Sequence, residues 1–158
     1  MNASLTKTCS CFGHREIEIT ENLRNEVKSI YKNLIENEGF EIFYFGGFSM
    51  FDNLCWQVVS ALKKENPKIQ RIFCLTDERH LRLSKRPFYL KDDDFEDFIY
   101  FELKYDFYKK RLYYRNIEMI KQSDFILFYV TTTERSGAYK ALKFAEKSKK
   151  RFINLGKI

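Results

Sequence analysis

Ile126-Leu127-Phe128-Tyr129-Val130, followed by Thr131-Thr132-Thr133-Glu134-Arg135 and then Ser136-Gly137-Ala138, is an unbroken apolar run that stops at polar residues and hands the chain to a helical pattern. The same grammar occurs twice earlier. Cys9-Ser10-Cys11-Phe12 runs into Gly13-His14-Arg15, and Ile42-Phe43-Tyr44-Phe45 runs into Gly46-Gly47. A strand that ends in small residues and opens a helix brings unpaired helix N–H groups, with the positive end of the dipole, close to whatever binds there. Three such junctions suggest a phosphate-bearing ligand.

On either side of these junctions the pattern predicts strands over 7–12, 41–46, 70–75, 99–103, 124–130 and 152–155, with helices over 20–38, 50–65, 107–122 and 136–149. Leu23, Val27, Ile30 and Leu34 share one helical face, as do Leu54, Val58, Ala61 and Leu62. Thr20 fits an N-cap and Gly39 a stop for the first helix. Nearly continuous apolar strands alternating with helices specify an α/β fold, a doubly wound and mainly parallel sheet with helices on both faces. Such a sheet binds ligands beyond the carboxyl ends of its strands, where strand order reverses.

The 158 residues suit one domain over 1–158, and no apolar run approaches the roughly 20 residues that span a bilayer. The polar start, Met1-Asn2-Ala3-Ser4-Leu5-Thr6-Lys7, does not read as a signal peptide. Cys9, Cys11, Cys55 and Cys74 include no CxxC pair and read as buried thiols, which fits the cytoplasm. No metal or cofactor is implied. The net charge of +6 favours anionic partners, although Lys147, Lys149, Lys150 and Arg151 also read as a solvated helix end.

Each candidate site residue has an ordinary structural reading beside its functional one. Gly13 lets backbone approach a ligand, and His14 and Arg15 offer hydrogen bonds or charge; equally, they make a turn with two solvated side chains. Gly46 and Gly47 permit positive φ and close approach, while Asp52 caps the next helix or accepts from a ribose. Arg111 and Arg115 form an i,i+4 pair of like charges beside Asn116, which a bound anion or Glu118 would relieve. Ser136 and Gly137 cradle a phosphate or simply cap a helix. Residues 79–91, rich in Lys and Arg, precede Asp92-Asp93-Asp94 and read as a self-satisfied surface loop or a lid.

Taken together, Phe12-Gly13-His14-Arg15, Gly46-Gly47, Asp52, Arg115-Asn116, Ser123-Asp124 and Ser136-Gly137-Ala138 resemble the SLOG superfamily, which joins the DNA-processing protein DprA (Smf) with the LOG cytokinin-activating proteins, especially its small stand-alone bacterial members. The resemblance implies a Rossmann-like fold, a nucleotide or nucleotide-derived ligand, and pairing of copies through helices. Arg115 matches the LOG arginine and Asp124 the acid opening the next strand. Thr131 to Ala138 replaces the PGGxGT segment, and Lys140 stands about where the catalytic glutamate would be. An ammonium suits an anion but not glycosidic chemistry, so Lys140 reads as a ligand contact.

The first functional reading is therefore a nucleotide-binding domain for sensing or signalling. The second is N-glycosidic hydrolysis of a nucleoside monophosphate, with Glu134 or Asp52 as the carboxylate, and the third is DprA-like DNA binding. A homodimer or higher homo-oligomer is expected through the helix bearing Tyr108, Leu112, Tyr113, Ile117 and Ile120.

Overall fold

Six parallel strands and four helices make up a computed structural model that describes residues 6–158. The segment 1–5, which carries most of the polar start read above, lies outside those residues. The elements run β1 (Lys7–Gly13), α1 (Glu21–Glu38), β2 (Phe40–Phe45), α2 (Met50–Lys63), β3 (Gln70–Leu75), β4 (Asp97–Tyr100), α3 (Tyr108–Gln122), β5 (Phe125–Tyr129), α4 (Gly137–Lys147) and β6 (Phe152–Asn154). The sheet order is β4-β3-β2-β1-β5-β6, and every neighbouring pair is parallel. The chain walks outward from β1 to β4, then returns to build on β1's other side. Right-handed crossovers put α1 and α2 on one face and α3 and α4 on the other when the walk reverses.

That arrangement explains the continuous apolar strands. Cys9, Cys11, Phe125 and Leu127 pack beneath α1 and α2 with Val27, Leu54 and Val59, whereas Phe12, Ile126 and Phe128 pack beneath α3 and α4 with Met119, Ile120 and Leu142. Successive residues of β1 and β5 thus enter opposite cores, so both parities must be apolar. The four cysteines are free and buried, as read. Among the described residues no helix is long and apolar enough to cross a membrane.

The first helix is bounded as expected: the Thr20 hydroxyl accepts from the Leu23 N–H at 3.0 Å, and Gly39 closes it at φ 75°. Helix α2 corrects one expectation. Its cap is Ser49, whose Oγ accepts from the Asp52 N–H at 2.9 Å, so the Asp52 side chain is not the cap. It also ends at Lys63 rather than 65, because Asn66 turns back and donates through Nδ2 to the Leu62 carbonyl at 2.9 Å.

Strand β4 lies at Asp97–Tyr100 rather than 99–103. Glu102 has φ 57°, which breaks the extended run, and the Tyr100 hydroxyl donates to the Leu103 carbonyl at 2.9 Å while accepting its N–H at 3.0 Å. Segment 76–96 folds into three short 3₁₀ turns whose charges partly satisfy one another, Arg86 pairing with Asp92 and Arg79 with Asp77.

Candidate functional site

Strand order reverses at β1, between β2 and β5, and a cleft of about 320 Å³ opens there beyond the carboxyl ends of the strands. The three junctions meet in it. Gly13, His14 and Arg15 come from the end of β1, Gly46, Gly47 and Asp52 from the β2–α2 turn, Arg115 and Asn116 from α3, and Ser136 and Gly137 from the start of α4. The N-termini of α2 and α4 both open on it, through Ser49 and Ser136.

The glycines serve a purpose the sequence did not reveal. Neither Gly46 nor Gly47 has positive φ, contrary to the expectation for that pair; Gly39 is the glycine in that region. A Cβ on Gly13 would lie 2.5 Å from the Phe51 Cβ, so Gly13 lets α2 pack flush on β1. A Cβ on Gly47 would lie 2.0 Å from Asp52 Oδ2. Close approach is indeed the reason for these glycines, but the approaching groups belong to the chain itself. Gly137 differs, having nothing within 4 Å of its Cβ position.

Arg115 is the buried charge of the site, only 4% exposed. Its Nη1 donates to the carbonyls of Gly46 and of Cys74, and its Nε and Nη2 donate to Asn116 Oδ1 at 3.3 and 2.9 Å. Asn116 therefore clamps the arginine. No carboxylate among the described residues lies within ion-pair distance of Arg115. Glu118, expected to relieve the arginine pair, faces Lys121 at 3.4 Å instead. Burial lowers the guanidinium's pKa, while Cys74 and Asp52 pull it back up. Arginine stays charged even so.

Asp52 is the carboxylate of the cleft. Burial pushes its carboxyl up to about 6, against the downward pull of the Cys11 thiol, of Arg115 and of Ser49. The Cys11 Sγ donates to its Oδ1 at 3.4 Å. Because this value lies above that of an unfolded aspartate, the carboxyl favours folding below about pH 4, and that contribution is lost as pH rises through about 6. Asp52→Asn is expected to match the unmodified chain near pH 4 and to exceed it by roughly 3 kcal/mol at pH 8, read from urea midpoints.

His14 accepts the Thr131 N–H on Nε2 at 2.9 Å, which leaves its proton on Nδ1 and ties the β1 and β5 junctions together. Arg15 is exposed at the rim, and its carbonyl accepts the Met50 N–H at 2.8 Å. The Ser136 hydroxyl caps α4 by accepting from the Tyr139 N–H at 3.1 Å. Asp124 is structural: its Oδ2 accepts the Thr8 N–H at 2.9 Å at the start of the strands.

Lys140 does not join the cleft. Ala138, Ala141, Leu142 and Ala145 form the buried stripe of α4, so Lys140 falls on the outer side. It lines a separate groove with Tyr113, Arg135, Tyr139, Lys143 and Lys147. Conversely, Phe48 and Tyr108, neither of them a residue expected at the site, line the cleft while 63% and 57% exposed. The signal available was an aromatic directly after a diglycine. Among the described residues no group of three or more His, Cys, Asp or Glu side chains is placed to hold a metal ion.

No family model and no curated protein matches the sequence. Among solved structures, the chain is similar to DNA processing protein A (DprA) from Streptococcus pneumoniae, with 12% identity and a TM-score of 0.64 over 94% of this chain and 50% of that one. It is also similar to DprA from Helicobacter pylori, known for a single-stranded DNA binding mode, with 16% identity and a TM-score of 0.62 over 94% of this chain and 64% of that one. The chain therefore spans half of the first protein's length and under two thirds of the second's. At such identities the likeness establishes the fold. This is a Rossmann-like α/β fold of the DprA type, as the sequence resemblance implied.

Proposed function

We propose that the cleft binds a nucleotide-derived ligand through its phosphate, in the service of sensing or signalling. The observation that carries this reading is Arg115, a buried cation that Asp52 offsets only from beyond ion-pair distance, set beneath the turn where two helix N-termini converge. Backbone N–H groups and a fixed positive charge in one concavity favour an anion more than either alone. Asp52 supplies a polar acceptor for a sugar hydroxyl. It is also the one carboxylate among the described residues lining the cleft, and at 8% exposure it is poorly placed to activate water. Binding without hydrolysis follows.

The test is calorimetric titration with nucleoside monophosphates and ribose 5-phosphate, with chromatography of the mixtures afterwards. Micromolar to millimolar binding without released base is expected, and Arg15→Ala should weaken it about tenfold while leaving the melting temperature unchanged. Accumulating free base would replace this reading with the hydrolase. Absence of any binding would remove the phosphate site.

A second reading, single-stranded DNA, draws on a separate observation. Phe48, Phe88, Tyr89, Phe107 and Tyr108 are all exposed on segments that follow strand ends, in a chain of net charge +6. Exposed rings beside a basic groove suit stacked bases, and the H. pylori neighbour has a single-stranded DNA binding mode. Oligonucleotide anisotropy should then fall steeply between about 50 and 200 mM salt; no binding at low salt would discard it. A homodimer through α3 belongs to the same proposal in reduced form, since Ile117 and Ile120 are buried and leave Tyr108, Leu112 and Tyr113 as its surface. Four free, buried thiols accord with a cytoplasmic setting.

A further inference from the structure

A second chamber, of about 330 Å³, lies beside the cleft between α2 and the segment joining β3 to β4. Its walls are rings. Phe48 meets Phe73 at 5.7 Å and Tyr89 at 5.2 Å between centroids, Phe73 meets Phe95 at 5.3 Å, and Trp56 meets Phe95 at 6.3 Å. Aromatic side chains that serve only a core close up until little space remains. Here they surround a space of the size that ligand pockets begin at, and two of them, Phe48 and Tyr89, are 63% and 53% exposed.

Among the polar side chains of the chamber are Ser49, Asp52, Asn53 and Asp94, with the indole N–H of Trp56. Asn53 presents a side-chain amide, which donates and accepts at once and so suits the edge of a heterocycle. Trp56 is fixed, its Nε1 donating to the Asp94 carbonyl at 3.0 Å. Chamber and cleft also share Gly47, Phe48, Ser49 and Asp52, so a molecule draped over that turn reaches both. One side then offers helix N–H groups and cations, and the other offers ring faces.

We infer that the chamber receives the aromatic base of the ligand whose phosphate lies in the cleft, the base stacking on Tyr89 and meeting the perpendicular ring of Phe48 edge to face, with its own edge toward Asn53. This rests on the phosphate reading above and adds to it that affinity comes in large part from the heterocycle. The ligand class is a nucleotide, not a sugar phosphate or a bare anion.

The test exploits Trp56, the single tryptophan of the chain. The intact protein is titrated with AMP, GMP, CMP, UMP and ribose 5-phosphate, following tryptophan emission and heat together. At least one nucleotide should bind about tenfold more tightly than ribose 5-phosphate and change the emission, which ribose 5-phosphate leaves alone. Tyr89→Ala, at an exposed ring, should bring that nucleotide to within about threefold of ribose 5-phosphate without altering the latter's affinity. If ribose 5-phosphate binds as well as every nucleotide, or a tighter nucleotide leaves both Trp56 and the Tyr89 variant indifferent, the base lies elsewhere and only the phosphate reading stands. If neither ribose 5-phosphate nor any nucleotide binds, both fall together.

Discussion

Gly13→Ala is expected to destabilise the chain by about 3 kcal/mol, lowering the melting temperature by roughly 6–12 °C. The added Cβ would sit 2.5 to 2.6 Å from the Cβ, Cγ and Cδ2 atoms of Phe51, a side chain with no exposed surface. Phe51 cannot rotate away from its own Cβ, so relief requires α2 to lift from β1. That lift would open the first core at Leu54 and Cys55 and displace the Ser49 end of the cleft. Urea and thermal melts of the variant measure the effect. A change within about 2 °C would show that α2 has slack against β1.

Arg115→Met is the second large effect, and it should appear in both stability and binding. Removing the guanidinium leaves the Gly46 and Cys74 carbonyls and Asn116 Oδ1 without their donor in a buried setting, and strips Asp52 of its nearby positive charge. A loss of about 3 kcal/mol is expected, from orphaned acceptors and an uncompensated carboxylate. Nucleotide affinity should fall about a hundredfold. Arg115→Lys keeps the charge but not the fork that spans two carbonyls and an amide, so it should recover part of the affinity and little of the stability. Adding Asp52→Asn to Arg115→Met should restore some stability at pH 8 and little near pH 4, since the raised carboxyl pKa makes charge on Asp52 costly only at the higher pH.

Much of this was legible from local pattern because the physics behind it is local. Strands buried on both faces are apolar at nearly every position, as β5 shows throughout and β1 and β2 show apart from Lys7, Thr8, Ser10 and Glu41. Thr20 and Gly39 bound α1 through hydrogen bonding and φ that depend on neighbours a few residues away. The edge strand β4 was harder, because a half-exposed edge tolerates charge and its end is set by the turn at Glu102.

The site divides in the same way. Which residues gather at the cleft followed from topology, since every glycine junction of a parallel sheet falls on one edge. What each residue does there did not follow. Asp52 gave up the cap to Ser49 because the helix begins at Met50, three residues earlier than a capping aspartate at 52 would set it. Gly13 and Gly47 answer to Phe51 and Asp52 in a packing that no spacing rule encodes. Lys140 follows a segment in which this chain replaces the resembled motif, and the buried alanine stripe of α4 turns it outward.

The most direct test of the nucleotide cleft uses the chain's six glycines as reporters. Gly13, Gly46, Gly47 and Gly137 line the cleft, while Gly39 caps α1 and Gly156 packs on the Val130 backbone. Their backbone amides fall in a sparse region of a ¹H–¹⁵N correlation spectrum, so a titration with nucleoside monophosphates can follow each one. Shifts at Gly13, Gly46, Gly47 and Gly137 that saturate together are expected, with Gly39 and Gly156 unmoved. Shifts confined to the outer face of α4 around Lys140, or none at millimolar nucleotide, would contradict a nucleotide site in the cleft.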